Sequence, residues 1–174
     1  MATQTEQAQD GPFAGYAPPE ERPPLGSYAL FAAIFNAAFA GSIAAARRSG
    51  RELPEHIGTG DVLLIGTASH KLSRLISKDK VTSFARAPFT EFQEPGGPAE
   101  YEEKPRGRGL RRAVGELLAC PYCLGLWTSA GFHVGLLFAP RTTRLLASTF
   151  TALTLSDFLQ IAYKAAEDRG LGGN

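Results

Sequence analysis

Residues 26–46 read GSYALFAAIFNAAFAGSIAAA and are followed at once by Arg47 and Arg48. The stretch contains no Asp, Glu, Lys, Arg or His. A bilayer core is about 30 Å thick, and roughly 20 mostly apolar helical residues are needed to cross it. The alternatives are a buried core helix, which seldom needs so long an uncharged run, and a signal peptide, which needs a short basic start. We therefore predict a first transmembrane helix over residues 26–46.

Two further apolar runs follow in the second half of the chain. Residues 117–140 contain no Asp, Glu, Lys or Arg, and residues 145–163 carry a single charge, Asp157. Core helices of a soluble protein are again the alternative, and the length of the runs favours membrane spans. Because the connection between them, residues 140–144, is short, we expect a helical hairpin within residues 113–163.

Residues 61–80 have an amphipathic pattern. One helical face is apolar and the other is cationic: Leu64, Ile65, Ala68, Leu72, Leu75 and Ile76 against His70, Lys71, Arg74 and Lys78. This pattern is typical of a helix that lies in the membrane interface. A short fourth span is the alternative, provided that Lys71 and Arg74 snorkel to the surface or face a polar interior.

Basic clusters set the expected orientation. One cluster follows the first span and a larger one precedes the second: Arg47, Arg48 and Arg51, then Arg86, Lys104, Arg106, Arg108, Arg111 and Arg112. Because Lys and Arg favour the cytoplasmic side, we expect both clusters there, with the amino terminus outside and the carboxyl terminus inside. The predicted fold is all-α: a small helical membrane protein with about three transmembrane helices plus an interfacial amphipathic helix.

The remaining segments are polar. Residues 1–25 form an acidic, proline-rich tail that we expect to be disordered, and residues 164–174 form a C-terminal tail. Residues 81–112 form a polar linker, whose basic part is expected to contact anionic lipid headgroups through Arg106, Arg108, Arg111 and Arg112. Nucleic acid is the alternative partner, but no interleaved aromatic residues accompany the charges, so we predict none.

Small residues recur every fourth position on one face of the first span, and the second span repeats that spacing: Ala29, Ala33, Ala37, Gly41 and Ala45, then Gly131 and Gly135. Such faces let helix backbones approach closely in a bilayer, although an alanine-rich composition would produce the same pattern. We expect helix packing, within the chain or with a partner.

Both cysteines of the chain lie in the sequence Cys120-Pro121-Tyr122-Cys123. Glutaredoxins have the same active-site sequence, but there it follows a β-strand and opens a helix that activates the first thiol. Here residues 113–119 before it read as helix. The cysteines could supply half of a zinc site, completed by His56, His70 or a second copy of the chain. The simplest interpretation is a structural thiol pair, so we assign no metal and no cofactor.

The hairpin geometry predicts neighbours for Asp157. With a turn at residues 140–141, Asp157 lies level with the start of the second span, beside Cys123 and Trp127. A carboxylate inside a membrane needs a partner, and the candidates are Arg74, Lys71 and His70. We expect a cluster of Asp157, Arg74 and the CPYC segment at the cytosolic face, with an interface-facing Asp157 as the alternative.

Three separated motifs resemble a bacterial domain-of-unknown-function family numbered 1360: HKLSRLISKDKVTSFARAPFTEF, GRGLRRAVGELLACPYCLGLW and SDFLQIAY. The resemblance covers roughly residues 60–163 and implies a small bacterial integral membrane protein with no established activity. The first apolar segment and the acidic tail lie outside it. The matching positions are candidate functional residues: Arg74, Asp79, Lys80, Arg86, Cys120, Cys123, Gly125, Trp127 and Asp157.

Catalytic signatures are missing from the sequence. It contains no Ser-His-Asp spacing, phosphate loop or HExxH motif, which argues against an enzyme without excluding one. We predict a multi-pass protein of the bacterial cell membrane with a non-catalytic role, in contact with lipid and assembling with itself or another membrane protein. One alternative is a thiol-redox or metal-thiolate protein that uses CPYC. The other is a small transporter or channel accessory subunit that uses the charges of Asp157 and Arg74.

Overall fold

The computed structural model describes residues 15–18 and 22–171. This part of the chain contains six helices and one two-stranded sheet. The helices are α1 (Leu25–Arg48), α2 (Thr59–Ser77), α3 (Ser83–Arg86), α4 (Gly109–Ala119), α5 (Pro121–Phe138) and α6 (Pro140–Leu171), and the strands are β1 (Thr90–Pro95) and β2 (Tyr101–Pro105). Most of the tail predicted over residues 1–25 lies outside the described residues. At the other end, α6 continues into the predicted C-terminal tail.

Helices α1, α2, α5 and α6 form a bundle in which successive helices run in opposite directions. Only Ala139 separates α5 from α6, so these two helices turn back on each other. Helix α2 runs parallel to α6, because Asp61 pairs with Arg144 near the start of both helices and Lys71 pairs with Asp157 further along. We call the end of the bundle near Ala139 the turn end.

Helix α1 runs parallel to α5. The Phe35 ring meets the Trp127 ring edge to face at 5.2 Å between centroids. Just after α1, Arg51 donates a hydrogen bond to the carbonyl oxygen of Leu137 at 3.2 Å. Helix α1 therefore begins at the opposite end of the bundle, where Tyr28 is hydrogen-bonded to Glu116 of α4. We call this end, which carries the two strands, the hairpin end.

Proline positions determine where α4 ends and α5 begins. A residue before proline is disfavoured in helical backbone, and Cys120 is extended, with φ −107° and ψ 104°. Pro121 then occupies the first turn of α5, where its missing N–H costs nothing. The junction divides the predicted second span into an amphipathic lead-in, α4, and an apolar helix, α5.

The core of the bundle lies between α2, α5 and α6. Its buried residues are Ile65, Ala68, Phe132 and Ala147, with partly buried apolar residues packed around them: Leu64, Leu72, Leu136 and Phe150. Helix α2 is thus a central helix and not the peripheral, interfacial helix that its amphipathic pattern predicted. An apolar stripe indicates that one face of a helix is shielded from water, but it does not distinguish shielding by lipid from shielding by a neighbouring helix.

Two helices of the described residues, α1 and α6, are long and apolar enough to cross a membrane, where about three spans were predicted. The second predicted span fails this criterion. After the break at Pro121 it retains 18 helical residues, which is long enough, but these include polar His133 and several glycine, serine and threonine residues that lower the hydropathy of the helix.

The prediction of an all-α fold is wrong, because the predicted linker contains the antiparallel pair β1 and β2. Thr90 lies opposite Pro105 and Pro95 opposite Tyr101. The strands are short and rich in glutamate, which has low strand propensity, so they carry no clear alternation of apolar and polar residues. Between them the chain reverses at Ala99, which adopts a left-handed φ of 62°.

The structure separates the two basic clusters that were expected on one side. Arg47 and Arg48 end α1 at the turn end, whereas the cluster of residues 104–112 lies at the hairpin end. The separation arises because α2 runs from one end of the bundle to the other. The predicted orientation assumed that α2 stays at one surface, and it therefore does not fit this fold.

Candidate functional site

The hairpin end carries a small polar unit, which we call the head: α3, β1, β2 and their connections, residues 78–108. At its centre Arg86 is completely buried. One terminal nitrogen, Nη1, donates to the Ile76 carbonyl at 2.8 Å and to the Thr82 hydroxyl at 2.7 Å. The other, Nη2, donates to the Asp79 carbonyl at 3.1 Å and to Glu103 at 2.9 Å, and Nε donates to Glu103 at 3.0 Å. All five N–H groups of the guanidinium are therefore satisfied.

Glu103 completes this buried ion pair. Burial by itself raises the pKa of Glu103, but hydrogen bonds from Arg86 and from Thr90, at 2.6 Å, outweigh burial and hold that pKa below its ordinary value. Glu103 is thus ionised at neutral pH. The two-pronged contact joins α3 to β2, and the bond to the Ile76 carbonyl ties both to the end of α2.

Two further ion pairs join α2 and the residue after it to the second half of the hairpin. Arg74 contacts both carboxylate oxygens of Glu100, at 2.7 and 2.6 Å, and Lys78 contacts Glu102 at 2.7 Å. Beside them, the Tyr101 N–H donates to the Lys78 carbonyl at 2.8 Å. Two of the cations that the sequence placed on one face of an amphipathic helix, Arg74 and Lys78, therefore bind the acidic hairpin.

The candidate residues Asp79 and Lys80 shape the turn into the head. The Asp79 carboxylate accepts the Val81 N–H at 2.9 Å, and the Lys80 N–H donates to the Ala99 carbonyl at 2.9 Å. The Lys80 ammonium lies 5.3 Å from the centroid of the Tyr101 ring. Both residues thus have structural contacts that join the turn to the hairpin.

Asp157 lies away from the head, in α6. Its carboxylate is 2.6 Å from the Lys71 ammonium, and the side chains are 47% and 18% exposed. Lys71 was one of the predicted partners, but Arg74 is bound to Glu100 instead. The predicted pairing of Asp157 with Arg74 is therefore wrong, because Glu100 of the hairpin binds the arginine.

The CPYC segment forms the junction between α4 and α5. Cys120 is the N-cap of α5, and its sulfur accepts the Cys123 N–H at 3.2 Å. Both thiols are free, and Tyr122 between them is 91% exposed. One turn further along α5, Trp127 packs against α1. Among the residues that the structure describes, no group of three or more His, Cys, Asp or Glu side chains is arranged to hold a metal ion.

The arginines predicted to contact lipid have other contacts as well. Arg106 and Arg111 both donate to the Pro88 carbonyl, at 3.2 and 2.7 Å, and Arg112 pairs with Glu116 at 2.9 Å. Arg108 is exposed at the N-cap of α4. Arg111 thus joins α4 to the head, Arg106 makes its contact within the head, and Arg112 makes its ion pair within α4.

Sequence reasoning missed Glu100, Glu103 and Gly115. Glu100 and Glu103 belong to an acidic segment that follows the basic face of α2 closely in the sequence. That charge complementarity was the signal that could have indicated the ion pairs. A Cβ atom on Gly115 would lie 2.4 Å from the Phe89 carbonyl oxygen, so only glycine lets α4 approach the head so closely. No pattern along the chain marks that contact.

Residues 64–163, which run from α2 into α6 and include the head and the CPYC segment, match the family described as "Protein of unknown function (DUF1360)". The chain belongs to this family. The match confirms the resemblance drawn from the three motifs. Helix α1 lies outside the matched region.

Two relatives come from Bacillus subtilis (strain 168). The chain is 30% identical to "UPF0713 protein YngL" over an alignment of 82 residues, and this alignment covers 45% of this chain and 59% of that protein. It is 35% identical to "Sporulation protein YjcA" over an alignment of 76 residues, and this alignment covers 42% of this chain and 64% of that protein. The chain thus spans less than two thirds of either relative. No solved structure is significantly similar to it.

Proposed function

We propose that this chain is a multi-pass integral protein of the bacterial cell membrane with a non-catalytic role: it holds the head at one membrane surface and assembles with a second copy or with another membrane protein. The observation that carries the proposal is the outward orientation of large apolar side chains around the bundle. The placement of polar side chains, the packing of α2 and the free face of α1 add support.

The outer surface of α6 is rich in large apolar side chains. More than half of each of the following is exposed: Leu145, Leu146, Leu155, Phe158, Leu159, Ile161 and Tyr163. Soluble monomeric proteins rarely expose continuous apolar patches of this extent. Lipid tails, by contrast, solvate such side chains. The exposed apolar surface of α6 therefore supports a transmembrane helix whose apolar side chains contact lipid.

Hydroxyl groups lie between the helices. Thr151 donates to the Leu64 carbonyl at 3.0 Å, and Thr154, which is buried, is 3.4 Å from the Thr67 carbonyl. Helices within a bilayer lack a hydrophobic drive toward each other, so small residues and such interhelical hydrogen bonds take its place. The polar contacts between α2 and α6 support the same environment for both helices.

Helices α1 and α6 are the two that are long and apolar enough to cross, and we extend the crossing to α2 and α5, which are less apolar but share one core with α6. Helix α2 has 19 residues and α5 has 18, so at about 1.5 Å per residue they span about 28 and 27 Å, close to a bilayer core of about 30 Å. The pairing of Lys71 with Asp157 offsets the charge that α2 and α6 would bring into lipid. The hairpin end has more Lys and Arg than the turn end, so we place it in the cytoplasm.

The assembly role is supported by the free face of α1. Phe35 turns one side of α1 toward α5, whereas the small-residue face is exposed throughout, and a Cβ atom added at Gly41 would meet nothing within 4 Å. A partner helix could approach this face closely. The Lys71–Asp157 pair supports a structural role for the charges of the bundle and gives less support to a transport accessory role.

Membrane placement is tested by extraction and by thiol labelling in cells. We expect the chain to stay with membranes at alkaline pH. In the parent protein, the native thiols should react with an impermeant maleimide only after the cells are lysed. In a variant with both native cysteines replaced by serine, a single cysteine introduced at the turn end by His56→Cys should react in intact cells. Release by alkali contradicts the membrane proposal, and labelling of both positions from one side contradicts the four crossings.

Assembly is tested at Gly41. We expect Gly41→Leu to dissociate an oligomer or partner complex in mild detergent, with an affinity loss of about tenfold or more, which corresponds to about 1.4 kcal/mol. Ala32→Leu is the matched control, because Ala32 is also exposed on α1 but lies outside the small-residue face. Light scattering and cross-linking in membranes give the mass. A monomeric parent, or equal masses for both variants, rejects the assembly role.

A further inference from the structure

We infer that Cys120 and Cys123 form a thiol–disulfide exchange site, in which Cys120 attacks a disulfide-bearing substrate and Cys123 resolves the mixed disulfide. The inference rests on the α4–α5 junction alone and does not depend on the proposed membrane role. The substrate class is a disulfide, either in a small molecule or on the surface of another protein.

Cys120 lies at a helix N-terminus, within hydrogen-bond reach of a backbone donor. It caps α5, an 18-residue helix whose N-terminus carries partial positive charge. Its sulfur also accepts the Cys123 N–H at 3.2 Å, so a backbone donor already points at the atom that would become negative. Cysteines at helix N-termini and in Cys-X-X-Cys motifs are the thiols that proteins activate in this way.

The preceding secondary structure does not matter for this chemistry. The sequence argument against a redox role was that helix, and not a strand, comes before the motif. However, activation comes from the helix that the motif opens, and α5 provides it. The extended backbone at Cys120 and the first-turn proline separate α4 from α5, so the thiol lies at a true helix start.

The site is open to a substrate. Cys123 is exposed, Cys120 is partly exposed, and Tyr122 between them is 91% exposed. Both thiols are free, and the ion pairs of the head do not involve them. Neither cysteine is among the core residues of the bundle, which are Ile65, Ala68, Phe132 and Ala147.

The reaction is balanced in two exchange steps. The Cys120 thiolate attacks one sulfur of the substrate, the substrate S–S bond breaks, and the first substrate thiolate leaves and takes up a proton. Cys123 then gives up its proton as its sulfur attacks the Cys120 sulfur of the mixed disulfide, and the second substrate sulfur leaves as a thiolate and takes up a proton. The two cysteines lose two electrons and two protons, and the substrate disulfide is reduced to two thiols.

The first test is a redox titration of the full chain in detergent. The protein is equilibrated with mixtures of reduced and oxidised glutathione, quenched with acid, and its remaining thiols are counted by mass after maleimide labelling. We expect the fraction of intramolecular disulfide to change smoothly with the glutathione ratio. Tyr122→Ala, which alters the exposed residue between the thiols, should retain this behaviour. Thiols that stay reduced at every ratio, or only disulfides between chains, overturn the inference.

The second test separates the two thiols. Cys123→Ser should trap one glutathione on Cys120, and Cys120 in this variant should react with iodoacetamide at least about tenfold faster than Cys123 in Cys120→Ser, because a stabilised thiolate is the reactive species. Cys123→Ala replaces Cys123→Ser if the latter fails to elute like the parent. Equal rates contradict the assigned roles. Thiols that react only after chelator treatment indicate a metal-thiolate site and also overturn the inference.

Discussion

The head and the bundle are held together by different forces. The head concentrates its stability in one buried ion pair, Arg86 with Glu103, in which every guanidinium N–H has an acceptor. The bundle distributes its stability over a small apolar core and contacts between helices, such as Gly135 against Thr143, and leaves many other large apolar side chains outside. The difference implies that one substitution or one protonation can open the head, whereas the bundle should yield only in small steps.

The largest effect is expected at Arg86. Arg86→Met leaves Glu103 buried without its partner, which costs about 3–5 kcal/mol. Hydrogen exchange of the β1 and β2 amides should report the loss as opening of the head. Lys104→Met is the control, because Lys104 meets Glu91 at 3.7 Å in a pair more than half exposed, for which at most about 1 kcal/mol is expected.

A double variant sharpens this result. Replacing both partners, Arg86→Met with Glu103→Leu, removes the unpaired charge and should recover much of the loss, because apolar residues often substitute well for a whole buried pair. Failure to recover would show that the hydrogen bonds from Arg86 to the backbone of residues 76 and 79, and not the charge pair, hold the head.

The next effect is expected at Gly115, where the head meets α4. Gly115→Ala forces the Phe89 carbonyl and Pro105 aside and should cost about 1–3 kcal/mol in thermal or chemical unfolding. Gly125→Ala is the matched control, because a Cβ atom there meets nothing within 4 Å. Equal stability of the two variants would mean that α4 is not pressed against the head.

Acid should open the head before the bundle. Because the pKa of Glu103 is lower in the folded chain than in the unfolded chain, its contribution to stability is complete above the unfolded-state value and is lost as the pH falls through the folded-state value. Hydrogen exchange of the hairpin, corrected for intrinsic rates, should show this loss, and Glu103→Gln should abolish it. Simultaneous acid opening of α5 and α6 would contradict the separation of the two regions.

The smallest effect is expected within the bundle, from double-mutant cycles on Asp157. Asp157→Asn and Lys71→Met should couple by about 0.5–1 kcal/mol, the usual size of a polar contact between helices in a bilayer. Asp157→Asn and Arg74→Gln should be additive, because Arg74 binds Glu100. Thermal unfolding of the single and double variants gives both values. Coupling to Arg74 would restore the cluster that the sequence predicted.

Much of the fold was predictable from local pattern. The uncharged run at residues 26–46 lies within α1, the run at residues 145–163 lies within α6, and the helix predicted at residues 61–80 is α2. The three motifs identified the family correctly. The hairpin was not predictable in the same way, because strands of five and six residues rich in glutamate have no periodic signal.

The candidate site was predicted as a set of residues but not as an arrangement. Arg74, Arg86 and Asp157 were all selected, yet their partners, Glu100, Glu103 and Lys71, are 26, 17 and 86 residues away along the chain. Charge complementarity along the chain offers several partners to each cation. Packing of the hairpin against the end of α2 decides among them.

Local sequence was enough to indicate the long helices, the division of α4 from α5 at Pro121 and the family of the chain, because apolar runs, proline and short motifs act through near neighbours. The position of α2 inside the bundle, the opposite placement of the basic clusters and the burial of Arg86 against Glu103 followed only from the packed fold. These features depend on contacts between residues that are far apart in the sequence. Whether a charged side chain is buried depends on the balance between the cost of removing it from water and the gain from its partner, and that partner is in place only when the elements are packed.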